Sequence, residues 1–292
     1  MAPARTVDDL LQLYAKQYLT NKAPRTQAQQ HGLFRRFSED LGTIPLDRLT
    51  PTILRSWSDY LRRSLKPGTV RQYLDSLSAV LTVAVEDLDW LEVHPLRKVP
   101  KPPASPKRVR FLTEEERHQL LEACRQSRNR GLYPLVLLAM TTGCRRGELF
   151  GLRWNNVDLE QGIVRLEHTK NGERRAVAVP PVAVDVLRVW RGLAPAAAWV
   201  FPRRGEHTAF PGENAWRHAL KRAGLKDFRF HDLRHTAASY LAMSGARIED
   251  IADVLGHKSL SMAWRYRHVT LPHTRAVVEK MAQQFLGETH EA

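Results

Sequence analysis

The chain has 292 residues, 43% hydrophobic and 26% charged, with 45 Lys and Arg against 31 Asp and Glu, a formal charge of +14. That length suits two domains with their own cores, and the cation excess points to a polyanionic partner, nucleic acid first, or else to a basic solvated surface. Two cysteines, Cys124 and Cys144, exclude a disulfide framework, and the longest uncharged run, Gly131 to Cys144, has 14 residues where a membrane span needs ~20.

The start, from Met1 to Asp9, has no apolar segment of the kind a secretory signal carries, so a cytoplasmic protein is expected. Val7 to Leu19 places Leu10, Leu11, Tyr14, Tyr18 and Leu19 at helical spacing. A second helix is expected over Thr26 to Leu41, with Leu33, Phe34 and Phe37 as its stripe. Thr50-Pro51 reads as an N-cap with proline at the first helical position, opening Thr52 to Arg63. Gly68-Thr69 opens a longer helix through Val70, Leu74, Leu77, Leu81, Val85 and Leu88. Four helices with basic residues between them could grip DNA or bind a protein.

Residues Pro100 to Arg108 hold four of the 17 prolines and three cations, which predicts a stiff, extended linker. Up to Lys107 there are 16 basic against 11 acidic residues, and after it 29 against 20. Both halves are basic, as two domains holding one polyanion would be.

In the second half, Thr113 and Glu116 form a capping box ahead of Leu120 and Leu121. Leu132 to Met140 is apolar all round, as a buried helix is. Ile163 to Glu167 and Arg175 to Val179 are β-rich runs around Lys170-Asn171-Gly172, a hairpin signal. Helices follow over Val182 to Arg191, Asn214 to Ala223, His231 to Met243, Arg247 to Leu255 and Thr274 to Leu286.

Five patches carry chemistry. Thr142 to Leu149 reads TGCRRGEL and sets Arg145 at the mouth of the apolar helix, where it could grip a phosphate or simply pair with Glu148. Its glycines lack the Gly-Lys-Ser/Thr ending, so a nucleotide-binding P-loop is rejected. Lys170 at the hairpin tip could donate a proton, or serve solubility as turn lysines do. His231 and Arg234 share a helical face in HDLRH. His231 and His235 also have zinc spacing, but Asp232 stands where a metalloprotease needs Glu, and Arg234 opposes a cation. His257 follows Leu255-Gly256, as a ligand or as a cap of the preceding helix. Tyr266 is flanked by Arg265, Arg267 and His268, cations expected to favour its phenolate.

In order and spacing, TGCRRGEL, TKNGERR, HDLRHTAASYLAMSG, IADVLGHKSLS and RYRHV resemble the tyrosine recombinases of the phage integrase family, over roughly residues 108 to 270. The resemblance implies a mainly α fold with a small antiparallel β-sheet in the C-terminal domain, built as a two-domain clamp. Its parts would be a helical, SAM-like core-binding domain (1–99), a linker (100–107) and a catalytic domain (108–292). It implies six catalytic residues: Arg145, Lys170, His231, Arg234, His257 and Tyr266. Tyr266 would attack a backbone phosphate to form a 3′-phosphotyrosyl link, Arg145 and Arg234 would bind the non-bridging oxygens, and Lys170 would protonate the leaving 5′-oxygen. His231 would assist proton transfer at Tyr266, His257 would hydrogen-bond the phosphate, and Glu148 would support the site. No metal and no cofactor is required.

The implied partners are double-stranded DNA with inverted-repeat core sites, a homotetramer assembled on two such sites, and accessory proteins in some systems. No membrane is involved, and the place of action is the cytoplasmic nucleoid. Ala263 departs from the Thr that many relatives carry. With little chain ahead of Val7, the expected layout is the compact Xer type without an arm-binding domain. The reaction would integrate or excise a phage or mobile element. Alternatives are Xer-type dimer resolution, a type IB topoisomerase that only nicks and closes, and a non-catalytic DNA-binding regulator on the same fold.

Overall fold

The computed structural model describes residues 5–104, 108, 110–167, 174–193, 197–202 and 212–286, with only the backbone of 268–274, 276–277 and 286. By packing, the chain divides into two compact units, Met1–Lys107 and Arg108–Ala292.

The first unit is helical. α1 (Val7–Tyr14) begins at a capping box in which Asp9 N–H donates to Thr6 Oγ1 at 3.3 Å, and it widens into a π-helical stretch over Ala15–Leu19. α2 (Pro24–Leu41), α3 (Pro51–Arg62) and α4 (Pro67–Glu86) follow. α3 starts under Thr50, whose hydroxyl accepts from Ile53 N–H at 3.4 Å. α4 begins one residue before the expected Gly68, because Pro67 already has the helical φ that the first position needs. Phe37, fully buried, meets Trp57 and Tyr73 edge-on at 5.8 and 5.9 Å, and Leu10, Leu54, Leu61, Leu74 and Leu77 close the core around them.

The proline-rich stretch does not all run free of this unit. Arg55, Arg62 and Arg71 donate to the carbonyls of Lys98, Pro100 and Pro102, and Lys101 pairs with Asp75 at 2.7 Å. Proline carbonyls keep their acceptors although the ring has no N–H, so arginine can hold such a segment where a β-ladder cannot.

The second unit surrounds α6 (Leu132–Thr142), which packs against α5 (Glu114–Arg125), α8 (Pro181–Leu193) and α10 (Asp232–Met243). Nearly every α6 side chain is buried, as its uniform apolarity predicts. The capping box at Thr113 is formed, with Glu116 N–H on Thr113 Oγ1 at 3.2 Å and Thr113 N–H on Glu116 Oε2 at 3.1 Å. After the short α7 (Arg146–Phe150), three antiparallel strands run in order: β1 (Val157–Asp158), β2 (Ile163–Leu166) and β3 (Arg175–Ala178). Val164 pairs with Val177 and Leu166 with Arg175, so Val164, Leu166 and Val177 face the core. The hairpin tip, Lys170 included, lies outside the described residues.

α9 (Glu213–Arg222) precedes α10, and α11 (Ile248–Leu255), α12 (Leu260–Ala263) and α13 (Leu271–Leu286) follow it. A 3₁₀ stretch, Trp264–Thr270, joins the last two. α10, α11 and α12 enclose a small separate core of Ala238, Ala242, Ile251, Ala252, Leu255, Ala263 and Tyr266. The fold is thus mostly helical with one small antiparallel sheet, as expected. Two-residue β1 and five-residue α7 were not anticipated, since neither is long enough to show a period.

Candidate active site

The site grows from the end of α6. Gly143 terminates that helix in the left-handed conformation (φ +62°), and a side chain there would collide with Leu255. The reversal delivers Arg145 to the start of α7 in extended conformation. Arg145 N–H donates to Glu148 Oε2 at 2.7 Å, Nη1 to Glu148 Oε1 at 2.8 Å, and Nη2 to the Gly256 carbonyl at 2.8 Å. Of the two readings of Arg145, the pairing with Glu148 is the one formed, and it fixes where the guanidinium stands.

Glu148 is itself buried, its side chain 3% exposed, and it also accepts from Arg175 Nη2 at 2.9 Å. Burial alone would raise its pKa. The hydrogen bonds from Arg145 and the charges of Arg175 and Arg145 outweigh that and hold it below the usual carboxylate range. Arg234, 5% exposed, donates Nη1 to the Gly143 carbonyl at 2.7 Å and Nη2 to the Leu255 carbonyl at 2.6 Å. Burial, then the charges of Arg145 and Arg175, push it down to about 10, so it stays a cation at neutral pH. Three guanidiniums around one carboxylate leave the site two charges in excess. Such a site attracts an anion.

α11 ends at Gly256, again left-handed (φ +61°), and the turn presents His257. Its backbone N–H caps the helix by donating to Ala252 O at 2.9 Å, while its buried Nδ1 has no partner within the protein. Burial, then Arg234 and Arg145, lower this imidazole to about 4. His257 is therefore neutral at pH 7 and free to donate a hydrogen bond.

Tyr266 is 1% exposed inside the small α10–α12 core. Its hydroxyl lies 2.7 Å from His235 Nδ1. His231, at the N-cap of α10, stands edge-on to His235 with ring centroids 5.4 Å apart, one turn away from the hydroxyl's partner. The proton contact expected of His231 is thus made by His235. A second expectation also changes. Burial raises the Tyr266 phenol above its ordinary value, and Arg265 and Arg234 oppose this only in part. Here the loss of water around the phenol outweighs the cations that flank it. Burial, then the charge of His231, lowers His235 to about 4, and burial, then Arg234, lowers His231.

Arg145, His231, Arg234, His257 and Tyr266 are therefore brought to one place, each histidine feeling Arg234 and Tyr266 feeling it too. Lys170 lies outside the described residues. Sequence reasoning passed over His235 and Arg175. His235 stood in the HDLRH motif and was weighed only as a zinc ligand. Arg175 shares the inner face of β3 with Val177, and an arginine at a buried register position of a strand was the signal. Among the described residues, no group of three His, Cys, Asp or Glu is arranged to hold a metal.

Comparison with known proteins agrees with this architecture. Residues 110–273, more than half the chain, match the phage integrase family, and residues 6–100 match the phage integrase SAM-like domain. The chain belongs to the phage integrase family, the tyrosine recombinases. It is 32% identical to the integrase of Salmonella phage P22 over 221 residues, covering 70% of this chain and 55% of that protein. It is 32% identical to the Escherichia coli shufflon-specific DNA recombinase over 233 residues, 77% of this chain and 59% of the other. The tyrosine recombinase XerA of Thermococcus kodakarensis is 32% identical over 197 residues, 64% of this chain and 69% of that one. The chain thus spans somewhat over half the length of the first two. In fold it is similar to a lambda integrase tetramer bound to a Holliday junction, with a TM-score of 0.76 at 19% identity, over 91% of this chain and 78% of that one.

Proposed function

We propose that this protein is a site-specific DNA recombinase that breaks and rejoins strands through a 3′-phosphotyrosyl intermediate and a Holliday junction. The observation that carries the reading is a buried tyrosine hydroxyl held by an imidazole beside three guanidiniums. Tyr266 Oη attacks the scissile phosphorus, forming the P–O bond to tyrosine as the bond to the 5′-oxygen breaks. The phenolic proton passes to His235 Nδ1, with His231 alongside as its neighbour. Arg145 and Arg234 bind the non-bridging oxygens as their charge grows, and His257 donates to one of them. Lys170 supplies the proton that the 5′-oxygen takes up. A partner strand's 5′-hydroxyl reverses the same steps to rejoin, since the phosphotyrosyl link keeps the energy of the broken bond. No residue role here calls for a metal or a cofactor.

The approach of an anionic phosphate offsets the neighbouring cations that, with burial, hold His235 low, and so raises its basicity. The tyrosine is thus protonated and quiet without DNA, and reactive with it. The substrate is double-stranded DNA with inverted-repeat core sites, bound by both basic units, and recombination proceeds in a homotetramer on two sites. The tetrameric lambda neighbour and the +14 charge support this assembly. Integration or excision of a phage or mobile element is the biological role favoured, on the similarity to the P22 integrase. The work is done at the nucleoid in the cytoplasm; no helix among the described residues is long and apolar enough to cross a membrane.

The test is a nicked suicide substrate that traps the covalent adduct. Wild type forms it in EDTA; Tyr266→Phe binds DNA and forms none. Lys170→Ala slows cleavage by ~10²–10⁴-fold, the usual worth of a general acid. A 5′-bridging sulfur, a good leaving group without a proton, restores that variant but not Arg145→Ala. An adduct from Tyr266→Phe overturns the assignment of the nucleophile. Equal rescue of both variants, or of neither, overturns the role of Lys170.

A further inference from the structure

Arg175 opens β3, its side chain only 13% exposed, and none of the roles above uses it. One corner of its guanidinium donates to Glu148 Oε2 at 2.9 Å and the other to the Val254 carbonyl at 2.5 Å. Its Nε is buried without a partner in the protein. Gly256 packs directly on the same group: a Cβ there would sit 2.8 Å from Arg175 Nε and 2.9 Å from Cδ. The Gly256 carbonyl in turn holds Arg145 Nη2 at 2.8 Å. Arg175 is thus the point where β3, the α7 carboxylate and the turn that carries His257 converge.

A planar guanidinium reaches two acceptors in a fixed fork, which a lysine ammonium on a flexible stem does not. A buried cation with one orphan donor is a poor way to stabilise a core, and a methionine of similar length would fill the space without desolvating charge. The arrangement fits a geometric task better than a packing one. We infer that Arg175 is a positioning residue for the phosphate site: it sets Arg145 through Glu148, and His257 through the Val254–Gly256 turn, without touching DNA itself. Gly256 belongs to the same device, since only a residue without a side chain lets the guanidinium lie against the turn. This rests on the strand-transfer reading above.

The experiment measures adduct formation on the suicide substrate and, separately, affinity for the same DNA, in the full chain. Arg175→Lys keeps the charge and loses the fork; Arg175→Met loses both. Both variants should bind DNA within about twofold of wild type while cleaving ~10–100-fold more slowly, the loss falling on the rate and not on affinity. The 5′-bridging sulfur should leave them slow, because the grip on the non-bridging oxygens is at fault. Gly256→Ala should cleave slowly too, and Gly256→Ala with Arg175→Met should be no worse than the slower single variant, since both break one contact. Wild-type rates in Arg175→Lys and Arg175→Met, full rescue by sulfur, or multiplicative losses in the double variant would each overturn the inference. Absence of the adduct in wild type would instead overturn the recombinase reading, so the two failures are distinct.

Discussion

The two units bury different kinds of side chain. Among the described residues, the helical unit hides Ser58, Ser76 and His94 as its polar groups, within a core of leucines and aromatics. The second unit hides Glu148, Asp232, Arg234 and His235, with Thr142, Thr236 and Ser239. Buried charges are costly unless paired, so a fold that keeps Glu148, Asp232, Arg234 and His235 inside is using them for something other than adhesion. The pairing pattern says what. Glu148 ties two arginines, and Asp232 ties Arg108 at 2.9 Å and the Arg229 N–H at 2.8 Å, which fixes the first turn of α10. One unit is a hydrophobic assembly; the other is a scaffold for a charged site.

The comparison is broken most directly by Glu148→Leu. It leaves Arg145 and Arg175 without their shared carboxylate, and denaturant melts should show a loss of about 3–5 kcal/mol together with loss of adduct formation. A loss under ~1 kcal/mol would mean the carboxylate holds nothing. Phe37→Ala in the helical unit should cost a similar ~3–5 kcal/mol by removing a fully buried ring, yet leave the pH profile of adduct formation in the folded fraction unchanged. A shifted profile would show that the first unit also sets the chemistry of the site.

Acid sharpens the contrast. His235 and His257 stand at about 4 in the folded protein against 6.5 for an ordinary histidine. A group lowered by folding contributes stability that is complete above the unfolded value and is lost as pH falls through the folded one. Stability should therefore decline between about pH 6.5 and 4, at up to ~1.4 kcal/mol per unit for each imidazole. His257→Asn should flatten part of that decline, and an unchanged slope in thermal melts would place the titration elsewhere. The smallest effect belongs to Thr113→Ala, which removes a cap at the surface. It should cost ~0.5–2 kcal/mol in the same melts and nothing in cleavage rate.

Much of this was legible beforehand where local physics governs. Phe37 and Leu77 lie on helical stripes, Thr113 with Glu116 spells a capping box that forms, and the runs on either side of Asn171-Gly172 pair as antiparallel strands. Arg145, His231, Arg234, His257 and Tyr266 could be named because each sits in a short motif with a definite order. His235 and Arg175 could not be given roles, since the partners that define them are 31 residues away at Tyr266 and 79 away at Val254.

What the sequence by itself determined is therefore the longer helices and the β2–β3 pair, the basic character of both units and most of the candidate groups, because periodicity, capping and charge are properties of neighbours along the chain. Tertiary structure alone decided which histidine meets the tyrosine and in which direction the phenol shifts. It also decided that one carboxylate joins two arginines, and why Gly256 has no side chain. Those outcomes depend on burial and on atoms meeting across α6, β3, α10 and α11. Desolvation and hydrogen bonding act over a few ångströms of space, whatever the separation in sequence.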